Sequence, residues 1–314
     1  MTLSVILPVC NEEPNLILLY DRLDAVTRGV GGLWEFIFID DGSTDDSLRC
    51  LEALHAKDPR VKVISFTRNF GHQAALTAGL DVMVGDAAIL MDADLQHPPE
   101  LLKSLIDQWR QGFEIVHTRR QNHHFSAKDL LSSFFYRLFR CMSGIDLGVN
   151  AADFRLLDRR VVHALRQFRE RSRFIRGLTG WVGFRVGTIP YFAEARHAGQ
   201  TKYSWSRMVH LAIDGLVSFS TAPLYWAIYT GFILSGLGLA EIVYALITRL
   251  ITHHALPGWT SLIIWISLIG GLQLVLMGVS GMYIAKIYEE VKERPLYLIR
   301  RRWGFASESE SESV

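Results

Sequence analysis

Cysteine is scarce in this chain. Its 314 residues hold three, Cys10, Cys50 and Cys141, with no CxxC or CxxH spacing. That excludes a disulfide framework and a cysteine-bound zinc site, so the three read as buried thiols of a reducing compartment. Net charge is nearly absent as well, 33 Lys+Arg against 32 Asp+Glu. A disordered, highly charged chain and a nucleic-acid binder that relies on bulk positive charge are both excluded. No GxxxxGK[ST] phosphate loop occurs, and the nearest approach to GxGxxG, Gly236–Leu237–Gly238, lies inside an apolar run. The first residues lack the basic, apolar and small-residue regions of a signal peptide, so export of the N-terminal part is not expected.

What is present is unevenly distributed. Between His117 and Arg176 stand thirteen Lys/Arg and five Asp/Glu, a stretch built to meet anions. From Tyr225 to Tyr283 the only formal charges are Glu241 and Arg249. Tyr225–Ile247 is 23 residues long and Leu262–Tyr283 is 22; at about 1.5 Å per residue each helix would cross roughly 30 Å of hydrocarbon. Glu241 costs about 2.5–3.5 kcal/mol on insertion, but Leu, Ile, Val and Phe side chains return about 0.3–0.6 kcal/mol each. The segment holds ten of these, so insertion wins. Two buried core helices are the alternative. Small residues four apart, Gly231/Ser235, Gly236/Ala240 and Ser267/Gly271, would allow close helix packing and a homo-oligomer through the spans.

Lys/Arg counts set the orientation. The loop between the spans carries only Arg249, whereas Lys286, Lys292, Arg294, Arg300, Arg301 and Arg302 follow the second. The positive-inside rule then puts the C-terminus and the N-terminal domain on the cytoplasmic side of a multi-pass inner-membrane protein. The expected organisation is a catalytic domain at 1–202, an interfacial linker at 203–224, two spans within 225–288, a cytoplasmic segment at 289–305 and an acidic low-complexity tail at 306–314.

In the N-terminal part, short Val/Ile/Phe-rich runs recur at Leu3–Val9, Trp34–Ile39, Val61–Phe66, Ala87–Met91 and Glu114–Thr118. Helix-length segments lie between them at Pro14–Thr27, Thr44–Ala56, Gln73–Val84 and Pro98–Gln111. Strands alternating with helices predict a Rossmann-like α/β domain with a mostly parallel sheet, whose ligands bind beyond the carboxyl ends of the strands. Three of those ends are polar and mostly acidic: Pro8–Val9–Cys10–Asn11–Glu12–Glu13, Asp40–Asp41–Gly42–Ser43 and Asp92–Ala93–Asp94–Leu95–Gln96. Such an edge suits a diphosphate only with a divalent cation between them. In an extended segment Asp92, Asp94 and Gln96 share one side, giving a hard-oxygen donor set for Mg²⁺ or Mn²⁺. Bare surface carboxylates are the plainer reading of a lone DxD.

SVILPVCNEEPNL, FIDDGSTDDS, TRNFGHQAALTAGL, MDADLQHPPE, DFRLLDRR and RHAGQTKYS together resemble the family 2 glycosyltransferases that load a sugar onto a polyisoprenyl phosphate. Dolichyl-phosphate mannose synthases, bacterial polyprenyl-phosphate glucosyltransferases and aminoarabinosyl transferases are of this type. The resemblance runs from residue 3 to about residue 300. It implies a GT-A fold, a nucleotide-sugar donor and inversion at the anomeric carbon. Pro8, Asn11, Glu12, Asp40 and Asp92 would hold the nucleotide, and Asp92, Asp94 and Gln96 the metal. Asn11, Glu12 and Glu13 could instead be helix-cap residues, and Asp41 a turn residue. Asp153 matches the position of a catalytic carboxylate in the wider superfamily; here it is expected to orient sugar or acceptor, with a salt bridge to Arg155 or Arg159 as the alternative.

A lipid phosphate acceptor has a second pKa of about 6 and is largely a dianion at neutral pH, so it needs cations rather than a base. Arg119, Lys128, Arg196 and Lys202 are the candidates, each otherwise an ordinary surface charge. Lys128–Met142 and Ser204–Phe219 carry apolar stripes that suit a membrane interface or packing on the domain. UDP-glucose is the leading donor, with GDP-mannose and UDP-aminoarabinose as alternatives; a membrane-tethered nucleotide-sugar sensor is the non-enzymatic one. His97 is expected to hydrogen-bond rather than ligate, and His72 to cap a helix.

Overall fold

The structure is a computed structural model that describes residues 1–121, 151–168, 170–171, 173–192, 220–252 and 258–305. Two compact units divide the chain. One takes in Met1–Arg140, Ile145–Tyr203 and Arg294–Val314, the other Cys141–Gly144 and Ser204–Glu293.

In the first unit the alternation starts with β1 (Thr2–Val9), α1 (Glu13–Val30), β2 (Leu33–Asp40), α2 (Ser47–Lys57), β3 (Val61–Phe66), α3 (His72–Val82) and β4 (Ala87–Leu90). A 3₁₀ turn at Pro99–Leu101 leads into α4 (Leu102–Arg110) and β5 (Ile115–Gln121). β1 and β2 are buried along seven of eight positions each, as strands covered by helices on both faces must be. Phe36 and Phe38 pack with Leu16, Leu19 and Leu23 of α1 in the main apolar cluster, and each such side chain contributes about 1.5–3 kcal/mol.

The chain then adds β6 (Ala151–Asp158), α5 (Arg159–Gln167), α6 (Ile175–Trp181) and β7 (Val186–Phe192). Asp158 caps α5 by accepting the Arg160 N–H at 2.9 Å. Among the described residues the sheet has eight strands in the order β7-β5-β6-β4-β1-β2-β3-β8, where β8 is Ile299–Trp303. β4, β1, β2 and β3 run parallel, while β6 is antiparallel to both β4 and β5. The strand order reverses at β1/β4, so the carboxyl ends of those strands open the crevice where such folds bind ligands.

β8 had no counterpart among the expected strands. It pairs antiparallel with β3, so part of segment 289–305 belongs to the sheet unit. Tyr297, just before it, stacks on Phe66 at 5.0 Å and donates to Asp81 at 2.9 Å. Cys10 and Cys50 form no disulfide and are half-buried rather than buried; Cys141 lies outside the described residues.

The second unit holds α7 (Ala222–Thr252) and α8 (Trp259–Val291), 31 and 33 residues long. Each contains a window apolar enough to cross a membrane, Ala222–Tyr244 and Leu268–Val291, with none of it buried within the protein. Tyr283 on α8 donates to the Ser220 carbonyl at 2.6 Å. The helices start and end beyond the expected spans by a few residues.

Candidate active site

The ends of β1 and β2 are joined by hydrogen bonds between their loops. Asn11 adopts φ 58, a left-handed conformation that asparagine tolerates. Its Oδ1 accepts the Thr44 N–H at 2.7 Å, and its own N–H donates to Ser43 Oγ at 3.0 Å. Glu12 N–H donates to Ser47 Oγ, while Glu12 Oε2 accepts from Asn15 at 2.7 Å. Glu12 is the N-cap residue of α1 but makes no side-chain cap bond. Pro8 is buried within β1.

Asp40, 2% exposed, accepts from Ser43 N–H at 3.0 Å and from the Ser65 hydroxyl at 2.9 Å. Asp41 is more than a turn residue, because its two oxygens take the Phe70 and Gly71 N–H groups at 2.6 and 2.9 Å. Burial raises its pKa against those bonds. Gly42 is needed where the two loops touch. Its φ is +64, and a Cβ there would lie 2.5 Å from the Arg68 carbonyl carbon.

After β4 the backbone departs from the extended segment expected for 92–96. It bends, and Leu95 sits at φ 63. The cause is local: Asp94 Oδ1 accepts the Gln96 N–H at 3.1 Å, an Asx-type turn. Sidedness nevertheless survives. Ala93, Leu95 and His97 are buried, whereas Asp92, Asp94 and Gln96 are half-buried. Among the described residues no three His, Cys, Asp or Glu side chains gather into a metal site. Two carboxylates and an amide oxygen fit Mg²⁺ or Mn²⁺ all the same, because Mg²⁺ typically takes one or two protein carboxylates and completes its shell with water and substrate phosphates.

β6 supplies the other half. Leu90 pairs with Arg155 in the β4/β6 ladder, and continuing that register two residues brings Asp153 opposite Asp92. Asp153 Oδ1 receives Arg155 at 3.0 Å and Arg176 of α6 at 3.1 Å. Arg155 also donates to Thr179 at 3.1 Å and is only 1% exposed. Burial favours the neutral acid at Asp153, but Arg176, Arg155 and His72 override it and hold the carboxyl far below its ordinary range. Burial likewise brings Arg155 down to about 10, which leaves it charged at neutral pH. His117 pairs with Arg155 across β5/β6; burial, with the charges of Arg155 and Arg176, lowers its pKa to about 3. Of the two rivals for Asp153, Arg155 forms the bridge, while Arg159 pairs with Asp86 at 3.6 Å.

His72 does not cap α3. Gly71 is the N-cap residue, and His72 Nε2 lies 2.8 Å from Asp92 Oδ1. Burial opposes charge on both groups, but their mutual attraction wins, raising the His72 pKa and lowering that of Asp92. His97 Nδ1 accepts the Asp92 N–H at 3.1 Å, and its ring stacks on Phe154 at 5.2 Å. His72, His117, Arg155 and Arg176 were not expected as a group; the only hint in sequence was their place in a basic stretch or beside a motif. Arg119 is exposed on β5 opposite Ala151. Lys128, Arg196, Lys202 and the two amphipathic segments lie outside the described residues.

A mostly parallel sheet whose strand order reverses at β1/β4, with acidic residues at those strand ends, is a GT-A-like α/β domain. The sequence model of glycosyl transferase family 2 matches residues 4–166, and the chain belongs to that family. It is 41% identical over 304 residues to an uncharacterized glycosyltransferase, YkcC, of Bacillus subtilis, covering 96% of this chain and 94% of the other. It is 36% identical to a prophage bactoprenol glucosyl transferase homolog of Escherichia coli, covering 96% and 99%. A bactoprenol glucosyl transferase of Shigella phage SfII is equally similar, at 36% with 96% and 98% covered. In structure the chain is like glucosyl-3-phosphoglycerate synthase of Mycobacterium tuberculosis in complex with Mn²⁺, UDP and phosphoglyceric acid. That likeness has a TM-score of 0.50 at 19% identity, covers 69% of this chain and 76% of that one, and shows the fold.

Proposed function

We propose that this glycosyltransferase moves one sugar, glucose from UDP-glucose in the leading reading, onto a polyprenyl phosphate at the cytoplasmic face of the membrane. The observation that carries the proposal is that similarity to bactoprenol glucosyl transferases extends over 96% of the chain, both apolar helices included. GDP-mannose and UDP-aminoarabinose are the alternative donors.

Each part of the site has a task in this reaction. Pro8, Asn11, Glu12 and Asp40 line or shape the nucleotide end, and Asp92, Asp94 and Gln96 would hold Mg²⁺ or Mn²⁺. Bound there, the cation supplies Lewis-acid relief of the charge that develops on the leaving diphosphate. An acceptor phosphate oxygen forms the new bond to the anomeric carbon as the bond to the donor's β-phosphate breaks, with inversion. That oxygen is already anionic near pH 7, its second pKa being about 6, so no proton has to be removed. Asp153, kept ionised by two arginines, is suited to accept hydrogen bonds from sugar hydroxyls rather than to act as a base. Arg119, Lys128, Arg196 and Lys202 are assigned to the acceptor phosphate, where guanidinium and ammonium groups bind without competing chemistry.

Membrane orientation has support from the chain path. β7 and β8 belong to one sheet and α7 and α8 lie between them in sequence, as an even number of crossings requires. The Lys/Arg surplus after the second span favours the cytoplasm for that side. To test the proposal, purified full-length protein is incubated with Mg²⁺, polyprenyl phosphate and a panel of labelled nucleotide sugars, and label entering the organic phase is counted. Transfer from UDP-glucose, lost in Asp94→Ala, is the expected result. Donor binding without transfer would identify a sensor, and transfer that survives rigorous chelation would remove the metal from the mechanism.

A further inference from the structure

A line of polar contacts that begins on another helix leads to the side chain of Asp92. The Ile175 N–H at the start of α6 donates to Gln73 Oε1 at 3.0 Å. A backbone N–H can only donate, so this contact assigns the Gln73 amide, oxygen toward α6 and nitrogen away from it. Gln73 Nε2 lies 3.4 Å from His72 Nδ1. His72 Nε2 faces Asp92 Oδ1 at 2.8 Å, and its hydrogen is present both in the imidazolium and in the neutral tautomer whose Nδ1 accepts from Gln73. Independently, the Asp92 N–H is taken by His97 Nδ1 at 3.1 Å, which stands 3.7 Å from Asp92 Oδ2. As the acceptor of that bond, His97 Nδ1 has no proton to offer Oδ2. Two imidazoles from different elements thus fix the Asp92 main chain and one carboxylate oxygen, and neither donates to the other oxygen.

The turn that leads into His72 is itself anchored. Phe70 and Gly71, immediately before it, donate to Asp41 at the end of β2. Such anchoring is what a positioning group needs, since a histidine on a loose loop would gain little by hydrogen-bonding a half-buried carboxylate.

We propose that His72, donating from Nε2, is a positioning residue for the diphosphate–cation site: it occupies Asp92 Oδ1 and presents Oδ2 to the divalent ion. This inference rests on the assignment of Asp92, Asp94 and Gln96 to that ion. Partners of this kind behind metal ligands change metal affinity by about 10–100-fold when removed.

The test measures Mn²⁺ binding by the loss of the free-ion electron paramagnetic resonance signal, using full-length protein in detergent with saturating UDP and no acceptor. Wild type, His72→Ala, His72→Gln and Asp94→Asn are compared, each checked by thermal unfolding. The expected pattern is strong loss in Asp94→Asn, about 10–100-fold weaker binding in His72→Ala, and recovery to within a few-fold in His72→Gln, whose amide reaches the same oxygen. If His72→Ala unfolds, His72→Phe keeps the ring volume and removes both nitrogens. Wild-type affinity in His72→Ala or His72→Phe, with Asp94→Asn impaired, overturns the inference alone. Absence of Mn²⁺ binding by wild type overturns the metal assignment and the inference with it.

Discussion

The two halves of the sheet's carboxyl edge satisfy their carboxylates in opposite ways. Beyond β1 and β2, Asp40 and Asp41 are held by backbone N–H groups and a serine hydroxyl. Beyond β4 and within β6, Asp92 and Asp153 are held by His72, Arg155 and Arg176. Hydrogen bonds to a charged group contribute about 1.5–3 kcal/mol each; stripping one partner from a buried ion pair costs about 3–5 kcal/mol, because the other charge is left stranded. The first half is thus held mainly by the backbone. The second is a fixed electrostatic frame, where ordered charges matter more than area.

The largest expected effect is on that frame. Arg155→Ala should destabilise the sheet unit by about 3–5 kcal/mol, read by denaturant unfolding in detergent, whereas Ser43→Ala in the first half should cost about 1 kcal/mol or less. Equal losses would erase the contrast between the halves. Next in size is Asp153→Asn. With the frame otherwise intact it should reduce kcat by up to about 10²-fold through misplacement of the sugar, with the shape of the pH–rate profile unchanged; disappearance of a profile limb would restore the carboxylate as a base.

A smaller effect concerns His117. Its pKa is about 3 in the folded chain against an ordinary 6.5. Between those values the unfolded chain binds a proton that the folded chain does not, so its contribution to stability is complete above about pH 6.5 and is lost as pH falls. His117→Asn should therefore gain on wild type, in melting temperature, as pH is lowered from about 7 to about 4. A difference that stays flat across that range would mean His117 is not held neutral by burial and the arginines.

The halves also differ in how much of them the sequence reveals. β1 to β5 and the helices between them are legible because strands covered on both faces read as unbroken apolar runs. The acidic strand ends follow directly, and so do Asp92, Asp94 and Gln96. β6 is hidden because Asp153, Arg155 and Asp158 interrupt its apolar run. β8 is hidden for a related reason, since its core is Arg300, Arg301 and Arg302, all exposed; charge of this kind on an edge strand discourages pairing with other chains. The frame needs β6 antiparallel to β4 before Asp153 comes beside Asp92, and it needs α6 folded back before Arg176 reaches Asp153. Partners 20 or more residues apart, such as His72 and Asp92 or Asp153 and Arg176, leave no local pattern. The resemblance supplied Asp153 and the local sequence offered Arg155 as its partner; Arg176 became visible only with the fold.

The central claim is that the acceptor brings its own negative charge and the protein contributes position and cations, not a base. The most direct measurement is the acidic limb of kcat/KM for the acceptor, compared between a polyprenyl phosphate and the corresponding thiophosphate, whose second ionisation is more acidic. The account predicts that the limb moves to lower pH with the thiophosphate. A limb that stays fixed when the acceptor changes, and vanishes in Asp153→Asn, would contradict it.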